Sequence, residues 1–329
     1  MTLSTNTGRR PEDTATELLT ALPAVTPPRG RRAPARGARP RVGRLGTIAV
    51  FLAPALILFL LLVLVPIVVA GYTSLFKWNG FNLPENYVGL DNYTRAFADP
   101  TFLGDLRRGG LLIALSVLVQ LPVSLALAML LNQPLRGRAV YRLVFFAPYV
   151  LSEVTTAVLF TLVFSPNRGL AFGGDMFADP EQVIYALFFV ISWKYFGFHM
   201  ILLLAGRQGI PRELTEAATT DGAGPWQVFR HVTLPLLGPT IRVSLFLSVI
   251  GTIQLFDMVW VLTGGGPIHS SETMAVTMFQ YGFRRFEVGY ASAISIAMFL
   301  LSLIFALLYQ RFVLRRDLEG ALTTRGVQR

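Results

Sequence analysis

The sequence predicts an all-α fold, namely a polytopic integral membrane protein with six transmembrane helices. Two properties of the composition support this prediction. Of the 329 residues 53% are hydrophobic and only 15% are charged, whereas about a quarter of the residues in a soluble domain are charged. The third observation is a set of six apolar segments, each long enough to cross a hydrocarbon core of about 30 Å as a helix.

The predicted spans follow one another with loops of unequal length. The second and third are joined by a short link, 132–138, so we expect these two helices to form a hairpin. Prolines inside several spans are compatible with this, because neighbouring helices can bond the carbonyls that a proline frees. The six predicted spans are residues 46–71, 111–131, 139–165, 183–205, 236–263 and 288–312.

Residues 1–45 differ from the rest of the chain in composition. They are rich in Arg, Pro, Ala and Thr and show no hydrophobic period. Such a segment cannot bury enough apolar surface to offset the entropy lost on ordering. We therefore predict a disordered cytoplasmic tail at 1–45, a six-helix membrane domain at 46–316 and a second cytoplasmic tail at 317–329.

The distribution of Lys and Arg predicts the orientation, because cytoplasmic loops of membrane proteins carry an excess of both residues. Twenty of the 29 lie in the N-terminal tail, the 132–143 link, the 206–235 loop and the C-terminal end, and seven lie in the other three loops. Both termini are therefore expected in the cytoplasm, with loops 72–110, 166–182 and 264–287 outside.

The composition also excludes several classes of function. The net charge is +10, but the arginines form short clusters between apolar runs, so nucleic-acid binding is not expected. The chain has no cysteine, which excludes disulfides and Cys-ligated metal sites. Neither of its two lysines, Lys77 and Lys194, ends a G-x-x-x-x-G-K motif, so there is no P-loop. We expect no metal, no cofactor and no enzymatic activity; energy has to come from a partner.

The 206–235 loop is long, moderately polar and predicted to be cytoplasmic. Pro211 is placed to begin a helix, since the first helical position needs no N–H. Glu213 and Glu216 then fall in the first turns, where the helix dipole favours acidic side chains. Gly222 and Gly224 are expected to end this helix.

A second short helix is predicted from Pro225 to Pro235. Trp226, Phe229 and Val232 recur at i, i+3 and i+6, which gives the helix an apolar stripe at the membrane surface. The stripe has two interpretations that the residues leave open. It packs on the chain's own helices, or it docks into a groove of another protein.

The same loop resembles a known motif. Its residues have the spacing of the EAA loop of binding-protein-dependent ABC importer permeases, with Val232 where an Ile is typical: Glu216-Ala217-Ala218, Asp221-Gly222-Ala223, Phe229, Leu234-Pro235 and Pro239. Three further segments are similar to the maltose-type sugar permeases of that family. They are Val88-Gly89-Leu90-Asp91-Asn92-Tyr93, Phe146-Ala147-Pro148-Tyr149 and Leu262-Thr263-Gly264-Gly265-Gly266-Pro267.

The resemblance, which covers residues 46–316, implies a division of labour between subunits. The EAA loop would form a coupling helix that docks into a separate ATPase, and ATP would bind to that partner. The implied partners are a second permease subunit, two ATPase subunits, an extracytoplasmic solute-binding protein, a sugar and the lipid of a bacterial plasma membrane. The residues implied in ATPase coupling are Glu216, Ala217, Ala218, Asp221, Gly222, Ala223, Phe229 and Pro235.

Four charged residues lie inside predicted spans, namely Glu153, Lys194, Arg242 and Asp257. A charge within the membrane is costly, so each is a candidate functional residue. Each also has a structural interpretation. Arg242 is close enough to the cytoplasmic end to snorkel, and Asp257 is close enough to the outer end to be solvated. Glu153 and Lys194 could form a neutral pair.

A substrate path is predicted on the spans that flank the EAA loop, because the maltose-type permeases hold their sugar there. Aromatic rings beside short polar groups suit sugars, although the same rings could serve helix packing. Gln254 and Asp257 are added for their chemistry. The family's asparagines are largely replaced, by Ile191, Thr252 and Leu255, which leaves the particular sugar open. The predicted substrate-path residues are Ser192, Tyr195, Phe198, Ser248, Thr252, Gln254 and Asp257, with Leu255 nearby.

The function predicted from the sequence is the permease subunit of an ABC importer for sugars, an oligosaccharide in particular. One alternative is a proton-coupled secondary transporter with Glu153, Lys194 and Asp257 as a relay. It is disfavoured because such folds usually show internal repeats, and none is found. An ABC permease for a non-sugar solute stays open. A membrane scaffold for an enzyme would explain the exposed loop but not the polar groups within the spans.

Overall fold

The computed structural model describes residues 44–164 and 176–314. Within these ranges the chain forms helices and a single isolated bridge, between Phe76 and Tyr87. The all-α class predicted from the sequence is therefore confirmed. Nearly all of the predicted tail 1–45, most of loop 166–182 and the whole of 317–329 lie outside the described residues. The described residues up to Leu58 and those from Phe59 onward belong to separate units, and each unit is described by itself.

The helices are labelled here in chain order. In the first unit the chain becomes helical at Arg44, and Pro54 lies within the helix. The label α1 is given to the candidate membrane span of this helix, which is counted from Ile48. The labelled helices are α1 (Ile48–Thr73), α2 (Asp91–Ala98), α3 (Pro100–Asn132), α4 (Arg138–Val150), α5 (Glu153–Val163), α6 (Val183–Gln208), α7 (Arg212–Thr220), α8 (Pro225–Leu236), α9 (Gly238–Ile253), α10 (Asp257–Leu262), α11 (Met274–Phe279) and α12 (Val288–Val313).

The membrane-spanning helices differ in continuity. By length and composition, α1, α3, α6 and α12 are each long and apolar enough to cross a membrane. Two bent pairs pass the same test, α4 with α5 at an angle of 98° and α8 with α9 at 65°. If each bent pair is counted as one span, the described residues provide up to six spans, the number that the apolar segments predict.

The third predicted span, 139–165, is wrong as a continuous helix. Helix α4 ends at Val150, and α5 begins two residues after Leu151. Pro148 lies in the last turn of α4, and the Ser152 hydroxyl accepts a 3.0 Å hydrogen bond from the Thr155 N–H at the start of α5. A proline near a helix end and a serine N-cap together favour a stop and a new start.

Two other spans have different ends from those predicted. Helix α3 begins at Pro100 instead of residue 111, because the Asp99 carboxylate caps it by accepting a 2.8 Å hydrogen bond from the Thr101 N–H. The fifth predicted span, 236–263, is interrupted at Gln254, where α9 has ended and α10 has not begun. The apolar residues on either side of Gln254, namely Ile253, Leu255 and Phe256, conceal this interruption in the sequence.

Small side chains allow the central helices to pack closely. A Cβ added to Gly197 on α6 would lie 1.9 Å from the Phe145 carbonyl oxygen on α4, so only glycine fits there. The Ser124 hydroxyl of α3 donates to the Phe196 carbonyl of α6 at 3.0 Å. Close backbone approach at small residues is typical of helix pairs in membranes. This packing fixes α6 at the centre of the second unit.

Polar side chains join α2 to the start of α12. Arg95 and Glu287 form an ion pair at 2.5 Å. The Asp99 carboxylate accepts hydrogen bonds from the hydroxyls of Tyr281 at 3.2 Å and Tyr290 at 3.1 Å. Burial opposes ionisation of Asp99, but the hydrogen bonds from Thr101, Tyr290 and Tyr281 outweigh it and lower the pKa of the carboxyl. These bonds therefore stabilise the fold above that pKa and weaken as the pH falls through it.

Candidate substrate cavity and coupling surface

A cavity of about 380 Å³ lies within the second unit. Its walls come from α3, α6, the break between α4 and α5, and the break between α9 and α10. Polar and aromatic side chains share its surface. The lining residues are Leu112, Ser116, Gln120, Tyr149, Glu153, Ile191, Tyr195, Phe198, His199, Leu247, Ser248, Gly251, Thr252, Gln254, Leu255, Phe256 and Asp257.

Both helix breaks open onto this cavity. Tyr149 precedes the α4–α5 break and Glu153 follows it, while Thr252 precedes the α9–α10 break and Asp257 follows it. Non-helical backbone at membrane depth is tolerated where protein buries it or where it lines a cavity. Broken helices that meet at a cavity are a recurring way to build a transport site.

Lys194 holds the break between α4 and α5. Its side chain is buried, with 3% exposed. The ammonium donates to the carbonyl of Leu151 and, at 3.5 Å, to that of Tyr149. The last carbonyls of a helix have no partner within it, so the lysine supplies the donors that α4 lacks. Glu153 instead accepts a hydrogen bond from the Tyr195 hydroxyl.

One wall of the cavity is aromatic. The rings of Tyr149 and Phe198 stack with centroids 4.7 Å apart, and the rings of Tyr149 and Tyr195 meet edge to face at 6.0 Å. These contacts join α4 to α6. The rings present faces to the cavity that suit the C–H faces of a sugar ring or a cation.

The opposite wall is polar. Gln254 and Asp257 are exposed at the α9–α10 break. The Thr252 hydroxyl donates to the Ser248 carbonyl at 2.9 Å, which leaves its lone pairs available to a ligand. The His199 Nδ1 and the Ser244 hydroxyl share a 2.6 Å hydrogen bond behind this wall.

The structure brings together most of the predicted substrate-path residues. Tyr195, Phe198, Ser248, Thr252, Gln254 and Asp257 all line the cavity, and so does Leu255. Their role in substrate binding stays a prediction. Ser192 does not line it: its hydroxyl is buried, and in the described part of the chain it has no hydrogen-bond partner. Ser192 lies three residues before Tyr195, so helical spacing alone places it next to the lining face.

The prediction missed several lining residues, among them Tyr149, Ser116, Gln120 and His199. Ser116 and Gln120 are polar residues four apart in a largely apolar span, so their shared face was a readable signal. They also bound a π-helical turn in α3, and such turns are frequent at functional sites. The signal for Tyr149 was its place directly after Pro148.

The coupling surface predicted from the EAA loop is a pair of short helices, α7 and α8. Gly222 follows α7 with φ of +86°, a conformation that glycine adopts without strain. The N–H of Gly222 donates to the Thr219 carbonyl at 3.0 Å, and the N–H of Ala223 donates to the Ala218 carbonyl at 3.0 Å. This pair of bonds is a Schellman motif, which ends the helix and reverses the chain.

Helix α8 continues this surface. The Gly224 N–H donates to the Gln227 side-chain oxygen at 2.8 Å, which fixes its first turn. The rings of Trp226 and Phe229 lie 5.3 Å apart, and Trp226 is 66% exposed. The predicted end at Pro235 lies one residue before the observed one, because α8 runs to Leu236 through a π-helical turn. That turn removes the need for a regular hydrogen bond at the proline.

The predicted coupling residues thus fall on one helical hairpin. Their side chains differ in exposure, and their role in coupling stays a prediction. Phe229, Ala218 and Ala223 are partly buried, and the exposed members are Glu216, Ala217, Asp221, Gly222 and Pro235.

Known proteins are similar to this chain over most of its length. The "Probable ABC transporter permease protein YurN" of Bacillus subtilis is 34% identical over 80% of this chain and 94% of its own length. The "Diacetylchitobiose uptake system permease protein NgcF" of Streptomyces coelicolor is 33% identical over 83% of this chain and 85% of its own length.

A solved structure and a family model agree with these relatives. The structure is that of a bacterial ABC transporter that imports the acidic polysaccharide alginate; the likeness has a TM-score of 0.73 at 23% identity and covers 83% of this chain and 97% of the other. It shows the fold. The family model matches residues 120–317, more than half of the chain, as the resemblance of the EAA loop predicts. The chain belongs to the family of binding-protein-dependent transport system inner membrane components.

Proposed function

We propose that this chain is the permease subunit of an ATP-driven importer for sugars, an oligosaccharide in particular. It forms the substrate path and couples to a separate ATPase. The observation that carries the proposal is the cavity between two broken helices, which combines an aromatic wall with a polar one. An aromatic face opposite hydrogen-bonding groups fits the two kinds of surface that a sugar presents.

The relatives support a carbohydrate as the substrate. NgcF is named for diacetylchitobiose uptake, and the transporter with the similar fold imports alginate. The cavity of about 380 Å³ falls in the size range of small-molecule sites, about 300 to 1,000 Å³. An oligosaccharide would therefore enter it with one or two of its sugar units at a time.

The energy and the delivery of substrate are assigned to partners. Lys77 and Lys194 do not form a P-loop, so ATP binds to separate ATPase subunits and this chain hydrolyses nothing. Two such ATPases, a second permease subunit and an extracytoplasmic solute-binding protein complete the assembly. The exposed hairpin of α7 and α8 docks on one ATPase, with Trp226 and Phe229 as the apolar anchor of a helix-in-groove contact.

The mechanism is alternating access. When the ATPases close on ATP, the motion reaches this chain through α7 and α8 and then through α9, which the 65° bend joins to α8. Helix α9 carries Ser248 and Thr252 to the polar wall of the cavity. A displacement of the hairpin therefore moves one wall of the site relative to the aromatic wall on α4 and α6.

The test of this function is the energy source for uptake. Cells that contain the chain are expected to accumulate at least one labelled oligosaccharide from a panel of neutral, amino and acidic trimers against its gradient. This accumulation should persist when a protonophore collapses the proton gradient while ATP is maintained, and it should stop when ATP is depleted. Cells that lack the chain provide the control.

Two results would contradict the proposal. Uptake that collapses with the proton gradient and survives ATP depletion would identify a proton-coupled secondary transporter. ATP-dependent accumulation of a solute other than a carbohydrate, with no oligosaccharide accumulated, would retain the permease assignment and reject the sugar.

We propose further that both termini are cytoplasmic, and the chain makes this simple to test because it has no cysteine. Ile268, between α10 and α11, is 88% exposed, and Thr219 on α7 is also exposed. A single cysteine at Ile268→Cys should react with an impermeant thiol reagent added outside intact cells. Thr219→Cys should react only after the cells are opened, and the reverse pattern would overturn the orientation.

A further inference from the structure

The charge on the cavity wall is one-sided. Among the lining residues of the described chain the side chains with a formal charge are Glu153 and Asp257, and both are acidic. The buried Lys194 is directed at the carbonyls of Leu151 and Tyr149 and does not line the cavity. A substrate inside therefore meets carboxylates and no cation.

The two carboxylates are not equivalent. Glu153 accepts a hydrogen bond from Tyr195, and the charge of Lys194 offsets part of its own, since the two interact electrostatically. Asp257 is exposed at the α9–α10 break, and within the described residues its side chain makes no hydrogen bond or ion pair. Asp257 is therefore the group best placed to bind a positive charge.

The aromatic wall independently favours a cation. Tyr149, Tyr195 and Phe198 are joined by ring contacts of 4.7 and 6.0 Å, and all three line the cavity. The electron-rich faces of such rings attract ammonium groups. The Lys194 ammonium already lies 5.6 Å from the centroid of the Tyr195 ring, so one ring of this wall already has a cation within the range of a cation–π contact.

We infer that the cavity selects a carbohydrate that carries a protonated amine, which Asp257 binds opposite the rings of Tyr149, Tyr195 and Phe198, and that it rejects anionic sugars. This inference rests on the proposed function and narrows its substrate to an amino sugar. Rejection follows from the same charges, because an acidic sugar would bring a carboxylate beside Asp257 with no cation on the wall to compensate.

Three trimers of matched length test the inference. They are the trimers of glucosamine, N-acetylglucosamine and mannuronate, which are cationic, neutral and anionic. Binding is measured by calorimetry on the full chain, with the subunits that copurify with it, in lipid nanodiscs. The glucosamine trimer should bind at least about tenfold more tightly than its N-acetylated analogue, and the mannuronate trimer should bind most weakly.

Substitutions then assign the effect to the cavity. Asp257→Asn keeps the size of the side chain and should remove most of the preference for the amine. Glu153→Gln keeps an oxygen acceptor for Tyr195 and should reduce the preference less. Glu181→Gln, an exposed position that does not line the cavity, is the matched control and should leave the preference unchanged.

The outcomes separate this inference from the proposed function. Equal binding of the cationic and neutral trimers, tightest binding of the anion, or an amine preference that survives Asp257→Asn would each overturn amine selection while retaining a carbohydrate site. Failure of all three trimers to bind, together with no ATP-dependent oligosaccharide accumulation in cells, would overturn both.

Discussion

Gly222→Val is expected to reduce uptake strongly without removing the chain from the membrane. Gly222 has φ of +86° in the Schellman turn, where a β-branched residue is strongly disfavoured. A Cβ at this position would meet no atom within 4 Å, so the effect is conformational and not a clash. We expect uptake to fall at least about tenfold, since a left-handed conformation costs roughly 1–2 kcal/mol for an ordinary residue.

The physical reason is the direction of α8. If the turn changes conformation, α8 leaves its position next to α7. Trp226 and Phe229 then no longer form the surface that is proposed to dock on the ATPase. The membrane helices do not depend on this turn, so the amount of chain in the membrane should be normal. The measurements are quantitative blotting of membranes, uptake of labelled substrate, and the ATPase activity that copurifies with the chain.

Gly222→Asn is the matched control. Asparagine enters the left-handed conformation more readily than other side chains, so this variant should retain most of the uptake although it also adds a Cβ. Normal uptake and ATPase association in Gly222→Val would show that the turn has no part in coupling. Equal loss in both variants would point to the added side chain itself.

Lys194→Met is expected to impair substrate binding at a site that Lys194 does not line. Removal of the ammonium leaves the carbonyls of Leu151 and Tyr149 without this donor, and an unsatisfied buried polar group costs about 1–3 kcal/mol. The break between α4 and α5 should then shift, and with it the cavity side chains of Tyr149 and Glu153.

Kinetics distinguish this positioning role from a general loss of structure. In Lys194→Met the half-saturating substrate concentration should rise about tenfold, because a free-energy cost of about 1.4 kcal/mol corresponds to a factor of ten. The amount of chain in the membrane should be normal. Lys194→Arg retains a charged donor and should recover part of the affinity. The second lysine, Lys77, is exposed, so Lys77→Met is a matched loss of charge that should change nothing. An unchanged half-saturation in Lys194→Met would refute the role.

The coupling hairpin shows which structure could be predicted from sequence. Pro211 and Gly222 mark the start and end of α7, and Pro225 marks the start of α8, through interactions between residues a few positions apart. Because these signals are local, the hairpin could be predicted without its surroundings. The exception, Pro235, depends on a π-helical turn that no residue type specifies.

The helix breaks show what sequence could not provide. An apolar run through 139–165 predicts one helix, since hydrophobicity does not reveal whether a carbonyl has a partner. The break is stabilised by Lys194, which lies 43 residues from Leu151 in the chain. A long-range bond of this kind is decided by packing, and Gly197 determines that packing by letting α4 approach α6.

The cavity combines both kinds of information. Spacing along α6 places Ile191, Tyr195 and Phe198 on one face. Helical periodicity also places Ser192 beside this face, three residues before Tyr195, so only the packing of α6 shows that its hydroxyl is buried outside the cavity. The contributions of Tyr149 and Gln120 come from other helices, so their arrival at the same site could not be read from any one segment.

The sequence by itself determined the all-α membrane class, the family and the hairpin of α7 and α8, because hydrophobic length and turn residues act locally. Pro148 and Ser152 favour the break between α4 and α5 locally, but only the tertiary structure decided that Lys194 would bond to the carbonyls of Leu151 and Tyr149 and so stabilise the break. The reason is that buried polar groups must find partners, and in a helical membrane protein those partners lie on helices that are distant in sequence. Because Lys194 is directed at these carbonyls and away from the cavity, the formally charged side chains that line the cavity in the described chain are those of Glu153 and Asp257.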